Sequence, residues 1–322
     1  MASPSIYNLD DIEKVISTPE FGNDLIEGTK NGFVRLENGE FFAAPIQTLA
    51  FAQHGDAAQT CIKTGYFRGQ DHFVIKVASG GYPVGNSGLM QVFSQMTGKL
   101  EALLMDNGIL TELRTAAVGA LTTRLLGPKN IASIGIVGTS IQARYQLEML
   151  RHVTDCKNVL VWGRTPSKVS LYVSEMTAKG WNVQSVESPD ELLQKCDVLV
   201  TTTCSREAVL GKSSLQTNPK GLLIVCIGAD APGKYELHPF LVAKADLLVA
   251  DTTAQSLERG EFQKAVADDV IKAESITSLG KLVKQEDLYR KEDDSRLIIF
   301  DSSGVALQDC VVSSLVLEKL RQ

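Results

Sequence analysis

Apolar positions recur at three- and four-residue steps in LDDIEKVIS (Leu9, Ile12, Val15, Ile16), which predicts a helix near the N-terminus. NGFVRLENGEFFAAPI reads as a strand, an Asn38-Gly39 turn and a second strand. TCIKTGYF and HFVIKVASGGY follow as two more strands. LMQVFSQMTGKLEALLMDNGILTE reads as a further pair joined at Thr97-Gly98, with another turn at Asn107-Gly108. The pattern changes at Thr111. ELRTAAVGALTTRLLG is helical, with Leu113, Ala117, Ala120, Leu121 and Leu125 on one face, and Gly127-Pro128 stops it. Near-continuous apolar strands then alternate with helices. The strands are ASIGIVG, KNVLVWG, NVQSV, DVLVTTT, GLLIVCIG and DLLVADT; the helices include QARYQLEMLRHV, PSKVSLYVSEMTAKG and SPDELLQKC. That alternation predicts a parallel sheet covered on both faces. LIIFDSSGVALQDCVVSSLVLEKL reads as a last strand, a Ser-Ser-Gly turn and a closing helix, and KQEDLYRKEDDSR as a solvated surface segment.

A chain of 322 residues fits roughly two domains at ~150 residues each. The charge, 32 − 38 = −6, gives no bulk attraction to phosphate backbones or anionic membranes, so nucleic acid and membrane partners are not expected. The four histidines (His54, His72, His152, His238) show no zinc spacing, and no metal is expected. His238, in ELHP, reads as structural or surface. The six cysteines are scattered without a CxxC pair and read as small buried hydrophobes of a reducing compartment, with Cys204, after TTT, as a possible cleft-lining residue. MASPSIYNLDDIEKVI lacks the apolar core of a signal peptide, and a cytoplasmic location is expected.

Between an apolar strand and a helix, Gly138-Thr139-Ser140-Ile141-Gln142-Ala143 occupies the place of the G-x-G-x-x-G/A dinucleotide fingerprint. Gly138 gives the tight turn and Ala143 allows close helix–strand packing. Ser140 replaces the second glycine and offers a hydroxyl to a phosphate oxygen. The next strand ends in Gly163, Arg164 and Thr165, where an NAD site usually places an acid. Nothing acidic there repels a 2′-phosphate, and Arg164 can pair with one, so the residues admit NADP(H) as well as NAD(H).

The segments FVIKVASG, LLMDNGILTELRTAAVGAL, GIVGTSIQAR, CIGADAPGKYEL and FDSSGVALQD resemble, in order and spacing, the motifs of the ornithine cyclodeaminase/mu-crystallin family, from about Lys63 to Asp309. IKTGY, IKVASGG, GALTTRLLGP and VLVWGR are most similar to its imino-acid reductases, those acting on iminosuccinate in particular. Its cyclodeaminases carry a KxVNxHP-like segment where this chain has KVASGGYP. The resemblance implies an α/β protein with a Rossmann-type dinucleotide-binding domain, 113–303, inserted in an α+β substrate and dimerisation domain, 1–112 plus 304–322. A homodimer is the implied assembly.

Lys76, flanked by Phe73, Val74, Ile75 and Val77, is costly to place in an apolar strand unless it meets an anion. The resemblance makes Lys76 and Arg114 the holders of a substrate carboxylate. Lys63 adds a charge suited to a dicarboxylate, and Gly304 completes the expected substrate set. Asp230 follows the strand LLIVCIG at the end where ligands sit in open α/β sheets. It is the expected catalytic acid, stabilising a protonated imine or relaying a proton, with Lys76 beside it in the catalytic set. The expected cofactor set is Thr115, Gly138, Thr139, Ser140, Ile141, Gln142, Gly163, Arg164, Thr165, Thr202, Thr203 and Gly228. The function implied is reduction of a 2-imino acid to an L-amino acid, iminosuccinate to L-aspartate first, with NAD(H) favoured over NADP(H). The alternatives are a cyclodeaminase that uses bound NAD on a diamino acid, and a mu-crystallin-like NADP- and small-ligand-binding protein without turnover.

Overall fold

A computed structural model describes residues 3–51, 58–82, 85–285, 289–290 and 294–322. His54, Pro83 of the KVASGGYP segment, and parts of the charged segment 284–296 lie outside the described residues. The chain divides into two compact units, Met1–Ala117 with Val305–Gln322, and Val118–Gly304.

The first unit opens with β1 (Ser5–Tyr7), α1 (Leu9–Ile16) and α2 (Phe21–Glu37). Strands β2 (Phe41–Ala43), β3 (Gln47–Ala50), β4 (Gln59–Phe67), β5 (His72–Gly80), β6 (Ser87–Ser94) and β7 (Leu100–Leu104) follow, and then α3 (Ile109–Leu126), inside which the unit boundary falls. Among the described residues these strands form a seven-stranded sheet in the order β1-β7-β6-β5-β4-β2, with β3 also paired to β4. All pairings are antiparallel except β1 with β7. One face, with Val74, Met90, Val92, Ala102 and Leu104, is buried. The C-terminal helix described below lies on it: Cys310 Sγ donates to the Gly65 carbonyl at 3.2 Å, and Ser313 Oγ sits 2.9 Å from Met90 Sδ.

The expected strand over Asn31–Glu37 is instead the second half of α2, and Gly39, at φ +72°, follows the helix end. Phe21, Leu25, Ile26, Thr29, Gly32 and Phe33 supply its buried face. Gly28 and Gly32 look like helix breakers in sequence, yet they are contact points. A Cβ on Gly28 would lie 3.0 Å from Val311 Cγ1, and one on Gly32 would lie 3.1 Å from both Leu307 and Val311. Close helix packing outweighs the ~1 kcal/mol that each glycine costs a helix.

The second unit alternates β8 (Ile134–Val137), α4 (Ile141–Leu150), β9 (Asn158–Trp162), α5 (Pro166–Ala178), β10 (Asn182–Ser185), α6 (Asp190–Lys195), β11 (Val198–Thr201) and β12 (Leu222–Cys226). It continues with α7 (Pro239–Ala243), β13 (Leu247–Ala250), α8 (Thr253–Arg259), α9 (Gln263–Ala267), β14 (Ile276–Ser278), α10 (Leu279–Lys284) and β15 (Leu297–Asp301), after which α11 (Ala306–Leu320) belongs to the first unit. Among the described residues the sheet has eight strands, all parallel, in the order β10-β9-β8-β11-β12-β15-β13-β14. Strands β8, β11, β12 and β15 are buried throughout, as continuous apolar runs require. The order runs outward in both directions from the β8/β11 pair. That reversal is the topological switch point of a Rossmann-type sheet, where the crevice for a ligand opens.

The charged segment before β15 is not simply solvated. Arg290 is half-buried and donates to the carbonyls of Leu126, Asp294 and Arg296 at 2.6–2.9 Å. Of the cysteines, Cys196, Cys226 and Cys310 are buried as expected, whereas Cys61 and Cys156 are half-buried and Cys204 is exposed. Among the described residues no helix is long and apolar enough to cross a membrane.

Replacing Gly32 by leucine forces a side chain against Leu307 and Val311. We expect a loss of ~1–3 kcal/mol, the usual range for overpacking, read as a lowered urea midpoint with unchanged slope.

Candidate active site

In the first unit, β4 and β5 pair so that Lys63 lies directly opposite Lys76. Both side chains point to the face covered by α11, and both are buried, at 7% and 2% exposure. Two like charges opposed across a strand pair repel, and burial removes the water that would screen them. The compensating group is Asp309, on α11: its carboxylate lies 3.3 Å from Lys76 Nζ and 3.1 Å from Arg114 Nε. Arg114, from the first turns of α3, also donates to Gln308 Oε1 at 3.0 Å. Gln308 in turn accepts from the Val305 N–H, which fixes the start of α11.

The electrostatics follow from this packing. Burial pushes the Lys76 pKa down, Asp309 pulls it back up, and Arg114 pushes it down again, leaving it lowered. Burial alone would raise Asp309, but Lys76, Arg114 and Lys63 together hold its carboxyl below the ordinary range. Asp106, buried just ahead of α3, has a carboxyl raised by burial against the N–H groups it accepts, Leu110 among them at 3.0 Å. Lys63, Lys76 and Arg114 thus bring three positive charges to a buried corner in which Asp309 is an internal anion. Sequence reasoning missed Asp309, although it ends the FDSSGVALQD segment. An acid one turn into an otherwise apolar helix was the available signal.

In the second unit, the turn after β8 is tight. Gly138 is at φ +105°, and a Cβ there would sit 2.7 Å from Thr202 Oγ1. Only glycine suits both conditions. Thr139 follows, and Ser140 caps α4 in extended conformation with no side-chain bond to the helix. Its hydroxyl is 3.4 Å from the Thr202 carbonyl. Ala143 is fully buried, as close helix–strand packing requires. Ile141 is 48% exposed and Gln142 half-buried on the first turn. Arg144 donates to the carbonyls of Thr139 and Ser140 and pairs with Glu175, which pins the turn from behind.

Gly163, after β9, packs against the turn: its missing Cβ would lie 3.0 Å from Thr139 Cγ2. Arg164 and Thr165 are exposed, and Thr165 caps α5. Thr202 and Thr203 follow β11. Thr202 bonds the Val137 carbonyl through its amide at 2.9 Å and its hydroxyl at 3.1 Å. Gly228, after β12, leaves no room for a side chain, since a Cβ would lie 2.1 Å from the Thr203 carbonyl. The structure therefore gathers Gly138, Thr139, Ser140, Gly163, Thr202, Thr203 and Gly228 at the C-terminal ends of adjacent strands.

Three expected residues stand otherwise. Thr115 lies in the first unit, its hydroxyl bonded to the Thr111 carbonyl at 2.8 Å. Gly304 is buried at φ +81°, its N–H given to Asp251 at 2.9 Å and its carbonyl to Gln255. Asp230 is exposed, with its carboxylate 2.7 Å from Lys234 Nζ. His238 caps α7 by accepting from the Phe240 N–H.

The sheet order and the glycine turn of the second unit define a dinucleotide-fold protein, whose first unit carries the buried lysine pair. A family profile matches residues 16–322, and the chain belongs to the ornithine cyclodeaminase/mu-crystallin family. Iminosuccinate reductase of Paracoccus denitrificans is 30% identical over 314 residues, covering 94% of this chain and 92% of that one. Its crystal structure with NAD+ superposes with a TM-score of 0.84 at 26% identity, covering 99% and 96% of the two chains. Alanine dehydrogenase of Archaeoglobus fulgidus is 36% identical over 231 residues, 71% of this chain and 69% of that one. Thermococcus litoralis Δ1-pyrroline-2-carboxylate reductase, with NADH and L-proline, has a TM-score of 0.86 at 26% identity over 98% and 97% of the chains.

Asp309→Asn removes the anion from the corner and leaves Lys76 and Arg114 facing each other. We expect a loss of about 3–5 kcal/mol at neutral pH, the range for breaking a buried pair. Because the folded carboxyl titrates below its unfolded value, its stabilisation is present above the ordinary carboxylate range and lost as pH falls through the folded pKa. Urea melts at pH 7 and below pH 4 check both: the variant's deficit should be large at pH 7 and shrink in acid.

Proposed function

We propose that the chain is a nicotinamide-dependent imino-acid reductase that forms an L-amino acid from a 2-imino acid, with iminosuccinate, the precursor of L-aspartate, as the preferred substrate. The observation that carries the reading is the buried Lys63–Lys76 pair with Arg114. It supplies more positive charge than one substrate carboxylate needs, and an iminodicarboxylate brings two. The relatives named for iminosuccinate and pyrroline-2-carboxylate reduction support the reaction class, and the NAD+ and NADH bound to those proteins support NAD(H) as the cofactor. NADP(H) remains open because Gly163, Arg164 and Thr165 present no carboxylate to a 2′-phosphate. In this reading the first unit is the substrate and dimerisation domain, and the second is the cofactor domain.

The residues of this chain divide the work. Lys76 and Arg114, oriented by Asp309 and Gln308, hold the carboxylate next to the imine carbon, with the fork of Arg114 fixing its plane. Lys63 holds the second carboxylate. Gly138, Thr139 and Ser140 receive the pyrophosphate at the start of α4, where backbone N–H groups and the helix dipole favour an anion. A bound nicotinamide supplies the two electrons as hydride. Asp230 provides the negative charge that stabilises the iminium and the proton path to nitrogen; Lys234, which holds its carboxylate, must release it or share it with the substrate.

The deciding experiment follows NADH and NADPH oxidation with oxaloacetate, pyruvate or glyoxylate plus ammonium, and with Δ1-pyrroline-2-carboxylate. The fastest kcat/KM is expected for oxaloacetate with ammonium and NADH; faster turnover of the cyclic imine, or none of any imine, overturns the substrate assignment. Lys76→Met and Arg114→Met should raise KM by about ten- to a hundredfold with cofactor affinity unchanged. Lys63→Met should raise KM for the dicarboxylate far more than for the monocarboxylates. Asp230→Asn should act on kcat, by ~100-fold; near-normal kcat would return Asp230 to a surface ion pair.

The homodimer rests on the second face of the first unit's sheet. Phe73 and Phe93 stack there at 4.9 Å and Phe42 and Tyr66 at 5.1 Å, around an open depression of ≈ 680 Å³ also lined by Thr64 and Ile75. An aromatic sheet face of this kind is normally covered, and a second copy is the symmetric way to cover it. Light scattering at micromolar concentration should give twice 34.9 kDa, and Ile75→Asp should halve it; a monomeric wild type overturns the assembly.

A further inference from the structure

One of the fully buried acids of the second unit lies outside the expected site. Glu236 is fully buried, in the segment between β12 and α7. Its carboxylate collects three donors from two different loops. Thr201 Oγ1 donates to Oε2 at 2.6 Å, the Gly228 N–H donates to Oε2 at 3.0 Å, and the Thr203 N–H donates to Oε1 at 2.6 Å. Thr201 ends β11 and Thr203 lies two residues on. Gly228 lies two residues past the end of β12, the strand paired with β11.

Glu236 is itself held from behind. Its N–H and that of Leu237 donate to the buried carboxylate of Glu261 at 2.7–3.0 Å, and its carbonyl accepts from Val209 and Leu210. Burial raises the pKa of both acids. The donors from Thr201, Thr203 and Gly228 oppose this at Glu236, while the Glu236 charge pushes Glu261 further up, well above its ordinary range.

We propose that Glu236 is a positioning residue for the nicotinamide cofactor: it braces the loops after β11 and β12 against each other and so sets the direction of their peptide groups. The proposal rests on the reading that the second unit binds that cofactor. In a trans peptide the N–H and the preceding C=O point in opposite directions. Turning the Thr203 and Gly228 N–H groups inward to Glu236 turns the Thr202 and Ile227 carbonyls away from it. The Thr202 carbonyl is the one that faces Ser140 of the phosphate turn. Two carbonyls of fixed direction, at the ends of neighbouring strands, are acceptors for the carboxamide and ribose hydroxyls of a nicotinamide nucleoside. The spacing has no slack, because Gly228 already approaches the Thr203 carbonyl and the Glu236 carboxylate too closely for a Cβ.

A carboxylate is needed for the brace. A glutamine has one acceptor oxygen, and its amide donors would oppose at least one of the three incoming donors. Glu236→Gln therefore disturbs the loops while keeping size, and Thr201→Val removes one donor while keeping the acid.

The test uses the full chain. NADH affinity is measured by fluorescence titration, ADP affinity by calorimetry, and cofactor-free stability by thermal melting, for the wild type, Glu236→Gln and Thr201→Val. NADH binding should weaken by about tenfold or more in Glu236→Gln and by a few-fold in Thr201→Val. ADP, which occupies only the adenosine end near Gly138 and Gly163, should bind both variants as it binds the wild type. Equal weakening of NADH and ADP, or unchanged NADH affinity in folded Glu236→Gln, overturns the proposal alone. If Glu236→Gln does not fold, Thr201→Val decides by the same two affinities. A wild type that binds no NADH overturns the cofactor reading and the proposal with it.

Discussion

Two buried lysines placed opposite each other on adjacent strands are an electrostatic problem that the rest of the first unit is arranged to meet. The β4/β5 register sets Lys63 against Lys76, among buried apolar neighbours such as Val74, Met90 and Val92. Without a nearby anion that face could not be covered by a helix. Asp309 makes the cover possible and gives Lys76 and Arg114 fixed positions. In the proposed function that concentration of positive charge is what receives the substrate's carboxylates, the cost of burying the cations having been met in folding rather than on binding.

The second unit meets a related requirement with the opposite sign. Glu236, Glu261, Asp251 and Asp301 are all buried there, and Glu236, Glu261 and Asp251 accept hydrogen bonds from backbone N–H groups of the loops. Asp251 takes the N–H groups of Thr252 and Gly304 and the hydroxyls of Ser302 and Ser303. Buried carboxylates are expensive groups to place. Here they fix the irregular backbone at the ends of β11, β12 and β15, where regular ladders have ended and peptide groups need partners.

Much of this was legible in the sequence. The alternation of apolar strands and helices after Thr111 identified the parallel sheet, because strands buried on both faces leave an unbroken apolar signature. Gly138, Ala143 and Lys76 could be picked out because each breaks or fulfils a steric or dielectric rule within a few residues. Three kinds of feature were not legible. The second half of α2 was read as a strand because its apolar residues run up to the Asn38-Gly39 turn, whereas the close approach of Gly28 and Gly32 to Val311 and Leu307, which favours the helix, is made with residues far along the chain. Asp309 acquires its meaning from Lys76 and Arg114, which lie far earlier in the chain. Glu236 was hidden because its partners are mainly backbone N–H groups, which carry no sequence signal.

The order in which the chain is synthesised sets a condition on the first unit. Its sheet comes from β1 to β7, but the helix that covers the sheet, Ala306–Leu320, is made only after the whole of Val118–Gly304. Until α11 leaves the ribosome, Lys63 and Lys76 have no Asp309, and the apolar face around them has no lid. Val118–Gly304 is complete before that point and can fold as a unit while the first remains open. The sheet thus spends the whole synthesis of the inserted unit as an unfinished surface, and the final helix closes it.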